Sequence, residues 1–238
     1  MDFKITLFSE FEIARGATVV VMAPHPDDFD AVAITLKRLA AQGIEIKLAV
    51  MTGGASGVED SFGSFETGAD KALLREAEQL ASCQRFGLAD KAVTFLRLTE
   101  NDHGDLLDNC DNQLVIDDYL KNIQPKIIFM PHGNDSNATH RSSLRMVKRA
   151  VSKWQLKVTF MLNMDPKTIA IKPDYYSGFD DDEAEWKGAL LRCHKSQHQR
   201  NLNSRQHGFD YRILEFNRQG AKKFNLPGTY AELFEVAN

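Results

Sequence analysis

The fold follows from one stretch of sequence, Ala17-Thr-Val-Val-Val-Met-Ala-Pro-His-Pro-Asp-Asp28. Its first seven residues form a continuous, β-branched apolar run, which predicts a strand buried on both faces. Between Asp30 and Gln42 the apolar residues recur at helical spacing, and Gly43 supplies a stop. The next apolar run, 44–52, predicts a second buried strand. This strand, helix and strand predict a parallel pair joined by a right-handed crossover.

The same alternation continues along the chain. Further helices are predicted at 66–86, 113–122, 140–154 and 181–197, and further strands at 92–98, 126–130, 158–162 and 168–176. Alternating strands and helices predict an α/β fold, a Rossmann-like and mostly parallel sheet flanked by helices. Because no Pro-, Gly- or Ser-rich linker divides the chain, we expect a single domain over 1–238.

The composition narrows the classes of function. The 238 residues have a formal net charge of −4, so no global basic field would attract nucleic acid or anionic lipid. No apolar run approaches the ~20 residues that span a bilayer, and the N-terminus does not resemble a secretory signal, so we expect a cytoplasmic protein. The three cysteines are far apart, which favours reduced thiols and disfavours a thiolate zinc site: Cys83, Cys110 and Cys193.

An unusual set of polar residues follows the first strand directly. His25 and Asp28, three residues apart, can converge on one cation from the first turn of a helix, while Asp27 between them stays free for proton transfer. A catalytic zinc takes three N or O ligands and keeps one position open for water. The alternative is that the acids Asp27, Asp28 and Asp30 only cap the helix. One Asp would do that, and three so close together repel one another.

A second set of polar residues follows the strand at 126–130. It runs from Pro131 to Arg141 and includes His140, which could supply a third ligand, and Asp135, which could orient that ligand. Taken alone, a histidine at a helix start is more often a cap. However, ligands of open α/β sheets bind beyond the carboxyl ends of the strands, where both sets lie. The sequence therefore predicts one metal site built from both.

The segment Ala23-Pro-His-Pro-Asp-Asp28 resembles the A-H-P-D-D signature of the PIG-L/LmbE-like zinc-dependent N-deacetylases. The resemblance implies a Rossmann-like fold, zinc bound by His25, Asp28 and His140, and Asp27 as general base. It also implies removal of an N-acetyl group from an N-acetylglucosamine-type sugar or conjugate. Fe²⁺ is the alternative metal, because a site of two histidines and one aspartate with an open position holds either ion.

Other matches to the family are less specific. Arg75-Glu76 resembles an R-E pair whose arginine faces the substrate, although Arg75 could instead form an ion pair on the helix surface. Asp102 is similar to an acidic substrate contact. Gly54 stands where the family's T-G-E loop commonly has Glu, and the segment 194–197 resembles its H-x-S-Q stretch.

The chain departs from the family in the second motif. The pattern D-x-H-x-D-H is here Asp135-Ser-Asn-Ala-Thr-His140, so Asn137 replaces a histidine thought to stabilise the transition state. An amide can donate a hydrogen bond to a developing oxyanion but cannot carry a proton. We therefore expect Asp27 to take a proton from water and return it to the departing amine, with assistance from Asn137. His132 or His194 could replace the missing imidazole.

The sequence is also compatible with two other functions. One is a metal-dependent deacylase of a non-sugar amide, and the other is a catalytically idle Rossmann-like module that keeps the metal. A dinucleotide site is disfavoured because the turn after the first strand lacks G-x-G-x-x-G and is acidic. The expected partner is a small amino-sugar substrate, with no nucleic acid and no membrane span, and a homo-oligomer is left open.

Overall fold

Eight strands form one sheet in the computed structural model, which describes residues 5–237. They are β1 (Thr6–Leu7), β2 (Thr18–Ala23), β3 (Glu45–Val50), β4 (Val93–Phe95), β5 (Ile127–Pro131), β6 (Thr159–Asn163), β7 (Tyr175–Phe179) and β8 (Tyr230–Ala237). Their order is β1-β7-β8-β6-β5-β2-β3-β4. Only β8 runs antiparallel to its neighbours β6 and β7, and the other pairs are parallel. The predicted mostly parallel sheet is therefore confirmed.

Seven α-helices cover the sheet in the described part of the chain. They are α1 (Ala33–Ala41), α2 (Gly68–Phe86), α3 (Cys110–Ile123), α4 (Ala138–Lys153), α5 (Asp181–Leu191), α6 (Lys195–Arg205) and α7 (Phe209–Lys223). None of these helices is long and apolar enough to cross a membrane.

The central position of β2 in the sheet explains why its sequence is apolar throughout. Val19 and Val21 pack into one buried cluster with Leu36 of α1, whereas Val20 belongs to a second cluster with Val147 of α4. Successive side chains of a strand point to opposite faces of its sheet. The sheet is thus covered by helices on both faces, and a central strand has no solvent-facing side for polar residues to occupy.

The strand order reverses between β2 and β5. The chain leaves β2 for β3 on one side, and leaves β5 for β6 on the other. The two loops therefore diverge and leave a crevice at the carboxyl ends of the central strands, where open α/β sheets bind ligands. Both polar sequence motifs follow these two strands.

Two predicted elements are wrong in part. A strand is predicted at 168–176, but the structure has one there only from Tyr175, as β7. The start of the predicted strand is instead a turn, because Asp165 accepts hydrogen bonds from the N–H groups of Lys167 (2.7 Å) and Thr168 (3.0 Å). The helix predicted at 181–197 is two helices, α5 and α6. His194 lies between them, fully buried, with its Nε2 atom 2.6 Å from Asp30 Oδ2. Both differences come from tertiary contacts that periodicity does not contain.

A buried ion pair between α5 and the last strand, β8, lies against the start of α1. Lys187 Nζ lies 2.7 Å from Glu232 Oε1, and both side chains are almost completely buried. Glu232 also accepts hydrogen bonds from the N–H groups of Ile34 (3.0 Å) and Thr35 (2.9 Å) at the start of α1. This cluster holds β8 and α5 against the helix that follows the first polar motif.

Replacing Lys187 with Met is expected to destabilise the protein by about 3–5 kcal/mol, because Glu232 would remain as an uncompensated buried charge. The free energy of unfolding in urea measures this effect. The double variant Lys187→Met/Glu232→Gln should recover much of the loss, since the amide oxygen of Gln still accepts from α1 and carries no charge. A loss below ~1 kcal/mol in the single variant would show that the pair is not needed.

Candidate metal centre and active site

A cavity of about 620 Å³ lies at the carboxyl ends of β2, β5 and β6. Side chains that follow each of these three strands line it: His25, Asp27 and Asp28 after β2, Asn137 and His140 after β5, and Asp165 after β6. The structure therefore brings the two predicted polar motifs together in one pocket. It adds a residue from a third strand end that the sequence analysis did not identify.

The three predicted metal ligands form a compact group. One candidate ligand atom from each of His25, Asp28 and His140 lies within 4.8 Å of the other two. Asp28 Oδ2 is 3.4 Å from His25 Nδ1, and Asp28 Oδ1 is 3.7 Å from His140 Nε2. Two imidazole nitrogens and a carboxylate beside an open cavity are a donor set that suits catalytic zinc. The residues present therefore fit a metal.

Two carboxylates orient the imidazole of His140. Its Nδ1 atom lies 2.9 Å from Asp135 Oδ2 and 3.2 Å from Asp165 Oδ2, so the opposite ring nitrogen faces Asp28. Such outer carboxylates fix the ring and strengthen a metal-binding histidine. Burial opposes a charge on His140, but attraction from Asp28 and hydrogen bonds to Asp135 and Asp165 outweigh it and raise the pKa to about 10. The same carboxylates would favour a metal cation at the opposite ring nitrogen, which binds metal when the ring is neutral.

Asp28 is held in its anionic form. Burial alone would raise the pKa of its carboxyl group, but attraction from His140 and hydrogen bonds from His25 reverse the effect and lower it. One of these bonds comes from the backbone N–H of His25, 2.8 Å from Asp28 Oδ2. A metal ligand has to be deprotonated, so this arrangement prepares the carboxylate for a cation.

The backbone of Asp27 has an uncommon conformation, with φ at +112°. A residue with a side chain is strained there by about 1–3 kcal/mol unless its surroundings hold it. Two residues of α2 do so: Gln79 Oε1 accepts from the N–H of Asp27 (2.9 Å), and Arg75 binds both Pro26 O and the Asp27 carboxylate. These contacts from α2 hold both the uncommon backbone conformation and the carboxylate of Asp27 in place.

Opposing effects act on the pKa of the Asp27 carboxyl group. Burial raises the pKa of its carboxyl group, and repulsion from Asp28 adds to this effect. Arg75, with Nη2 2.7 Å from Asp27 Oδ2, opposes both, and the net direction is a raised pKa. A carboxylate whose pKa is closer to neutrality accepts and returns a proton more readily than an ordinary Asp. The position suits the predicted general base.

Asn137 begins helix α4. Its Oδ1 atom accepts hydrogen bonds from the N–H groups of Thr139 (2.8 Å) and His140 (3.4 Å), so the oxygen serves as the N-cap. Its own N–H donates to Asp135 Oδ1 at 2.6 Å. Asn137 lines the pocket, and because its oxygen is engaged in the cap, its side-chain NH₂ group is the part left to donate to a substrate. The donor role stays a prediction from the sequence.

A pair of substitutions separates the two roles of Asn137. Asn137→Ala is expected to lower the free energy of unfolding by about 1 kcal/mol, because the cap of α4 is lost. Asn137→Asp keeps a capping oxygen and should stay close to the wild-type stability, but its carboxylate has no hydrogen-bond donor. If the amide donor assists the reaction, both variants lose turnover and only the Ala variant loses stability. Equal turnover in the Asp variant and the wild type would exclude the donor role.

The structure places the two predicted substrate contacts differently. Arg75 is 2% exposed and lines the pocket, so the alternative of an ion pair on the helix surface is contradicted. Its partner is Asp27. Asp102 is exposed and does not belong to the residues that line the pocket, whereas the neighbouring Asp105 does.

Neither histidine considered as a replacement for the missing imidazole lines the pocket. His132 Nε2 lies 3.4 Å from Glu235, and His194 is bonded to Asp30. In the described part of the chain, the histidines that line the pocket are His25, His140 and His103, which is exposed on the loop after β4. Among these three, His103 is the one that is not a predicted metal ligand.

Two residues of the site were missed from the sequence. Asp165 lies two residues beyond the end of β6, so the rule that located the other motifs would have found it if applied to this strand as well. Gln79 had no such signal. It lies one helical turn after Arg75 on α2, and only the packing of that helix shows that both side chains meet Asp27.

Solved structures share this fold over almost the whole chain. N,N'-diacetylchitobiose deacetylase from Pyrococcus horikoshii is 20% identical with a TM-score of 0.76, covering 97% of this chain and 85% of that one. GalB, the 4-carboxy-2-hydroxymuconate hydratase from Pseudomonas putida KT2440, is 17% identical with a TM-score of 0.68, covering 94% and 96%. A deacetylase of teicoplanin biosynthesis is 15% identical with a TM-score of 0.68, covering 92% and 98%.

At these identities the solved structures show the shared fold, and the hydratase among them shows that it occurs with more than one chemistry. No curated protein sequence matches the chain significantly. A family model does match, that of the GlcNAc-PI de-N-acetylases, PIG-L, over residues 20–151. This span covers more than half of the chain and includes the two polar motifs and Arg75. The chain therefore belongs to the PIG-L family.

Proposed function

We propose that this protein is a zinc-dependent N-deacetylase that acts on an N-acetylglucosamine-type sugar or conjugate. The observation that carries the proposal is the grouping of His25, Asp28 and His140 in a pocket, with the carboxylate of Asp27 beside them. Membership of the PIG-L family and the deacetylases among the structural neighbours support this reaction. Fe²⁺ is the alternative metal, because the same donors bind it.

The chain's own residues account for the proton transfers of amide hydrolysis. When bound by His25, Asp28 and His140, the metal would polarise the amide carbonyl and acidify water. Asp27 accepts a proton from the water molecule that adds to the carbonyl carbon. It returns this proton to the nitrogen as the C–N bond breaks, so that acetate and a free amine are formed.

Two other side chains support these transfers. Arg75 holds the Asp27 carboxylate in place through its 2.7 Å ion pair. The NH₂ group of Asn137 donates a hydrogen bond to the developing oxyanion, a contribution worth up to about 4 kcal/mol in other hydrolases.

Removal of metal tests the proposal most directly. The purified protein is assayed for acetate release from N-acetylglucosamine and di-N-acetylchitobiose, then depleted with a chelator and reloaded with Zn²⁺ or Fe²⁺. We expect activity to disappear on depletion and to return with one metal ion per chain. Acetate release that persists after complete metal removal would contradict the proposal.

The same assay separates the two alternatives. Release of an acyl group from N-acyl amino acids, with none from sugars, would indicate a deacylase of a non-sugar amide. Stoichiometric metal without turnover on either class, and none on the charged sugar N-acetylglucosamine 6-phosphate, would indicate the idle module. We also infer that the chain forms one domain, because the sheet that carries the site includes both the first strand, β1, and the last strand, β8.

A further inference from the structure

Four cationic side chains line the same pocket as the acidic motif. Lys167 follows β6, Arg200 and Arg205 lie on α6, and Arg212 lies on α7, and all four line the main cavity. We call them the cationic rim. Three of them, Lys167, Arg205 and Arg212, also line an adjoining cavity of about 500 Å³ that the rim shares with Asn137. The rim therefore continues directly from the proposed catalytic centre.

The rim lacks the acidic partners that most of the other arginines in the described part of the chain have. Within residues 5–237, none of its four side chains forms an ion pair or donates a hydrogen bond. By contrast, Arg149 pairs with Asp108 at 2.7 Å, and Arg192 pairs with Asp210 at 2.8 Å. The chain has 33 acidic against 29 basic residues, so acidic partners are not scarce. The local excess of positive charge contrasts with a net charge of −4.

The rim cations also act on one another. Arg212 is half-buried, and burial together with repulsion from Arg205 and Arg200 lowers the pKa of its guanidinium group. Attraction from Asp165 and Asp27 opposes this effect in part, so Arg212 is the rim residue that also senses the charges of the catalytic centre. Like charges held together in a cleft attract an anion into it, and the anion relieves their repulsion.

We propose that the substrate carries an oxyanion, a phosphate or a carboxylate, which the cationic rim binds while the N-acetyl group lies at the group of His25, Asp28 and His140. The planar fork of arginine matches both kinds of oxyanion through paired hydrogen bonds. The inference rests on the proposed function and narrows its substrate class: neutral N-acetyl sugars are poor substrates, because they leave the rim uncompensated.

Three N-acetylhexosamines that differ in charge test this proposal: N-acetylglucosamine, N-acetylglucosamine 6-phosphate and N-acetylmuramic acid. Their binding to the metal-loaded protein is measured by calorimetry, and their kcat/KM by acetate release. We expect at least one anionic sugar to bind about tenfold or more tightly than the neutral sugar, which corresponds to one charged hydrogen-bonding contact. A preference for the phosphate or for the carboxylate sugar identifies which oxyanion the rim accepts.

Substitutions in the rim locate the effect. Arg205→Gln/Arg212→Gln is expected to lower the ratio of anionic to neutral affinity about tenfold or more. The matched control is Arg149→Gln, an exposed arginine that does not line the pocket and should keep the wild-type ratio. Binding of the phosphate sugar that survives in the double variant would come from the metal centre and would overturn the proposal.

Failure of this proposal is distinguishable from failure of the proposed function. Equal binding and equal turnover of all three sugars by the wild type overturns the anionic subsite and leaves the deacetylase in place. Rim-dependent binding without acetate release supports the subsite and contradicts the deacetylase reaction. No binding of either anionic sugar overturns the subsite whatever the activity on the neutral one.

Discussion

Asp28→Ala is expected to remove bound metal and acetate release together. Asp28 is the residue that approaches both histidines, with oxygens 3.4 Å from His25 Nδ1 and 3.7 Å from His140 Nε2. Loss of an outer carboxylate typically weakens metal binding about 10–100-fold, and loss of a direct ligand should weaken it further. Metal content by elemental analysis and acetate release measure the effect.

Two further variants sharpen this test. Asp28→Asn preserves the side-chain shape and an acceptor for the N–H of His25, but has no negative charge, so we expect it to lose metal as well. Asp135→Asn removes one of the two carboxylates at His140 Nδ1 and should give a smaller loss of affinity. Full metal content in Asp28→Ala would mean that the group of three is not the metal site.

Asp27→Asn is expected to lower kcat by about 10²–10⁴-fold, because general acid–base catalysis typically accelerates a reaction by this factor. The metal content should stay at the wild-type level. The amide is close in shape to the carboxylate and can still accept a hydrogen bond from Arg75. It cannot accept the proton of the attacking water. Steady-state kinetics and elemental analysis of the same preparation give both quantities.

Gln79→Ala provides a graded comparison. It leaves the Asp27 carboxylate in place and removes the acceptor for the Asp27 N–H, which helps to hold φ at +112°. We expect a fall in kcat smaller than that of Asp27→Asn, since the base is present but less well positioned. Wild-type turnover in Asp27→Asn would rule out Asp27 as the base, and His103 would be the next residue to test in the pocket.

The local sequence was informative where one physical effect dominated. The run at 17–23 is apolar on both faces, and the structure buries it between two helix layers. The two polar motifs follow parallel strands, and β2 and β5 prove to be neighbours in the sheet. Parallel strands have their carboxyl ends at the same edge of the sheet. The rule that ligands bind at this edge therefore predicted that His25 and His140 lie close together, although no side-chain contact was known.

The C-terminal part of the chain was less well predicted, because its structure depends on contacts between residues distant in sequence. Strand β8 enters the sheet antiparallel between β6 and β7, and α7 precedes it, but neither was assigned from the sequence. The break at His194 comes from its contact with Asp30, 164 residues away in the chain. Contacts of this range are fixed by the packing of the whole sheet and leave little trace in local periodicity.

The α/β class, the mostly parallel sheet and the candidate ligands His25, Asp28 and His140 could be predicted from the amino-acid sequence, because strand burial and strand-end motifs are local properties of the chain. The surroundings of these ligands depend on tertiary packing: Asp165 lies against His140, Gln79 and Arg75 contact Asp27, and the cationic rim lines the same pocket. These residues come from elements distant in sequence, and charge and hydrogen bonding act through the space that folding creates between them.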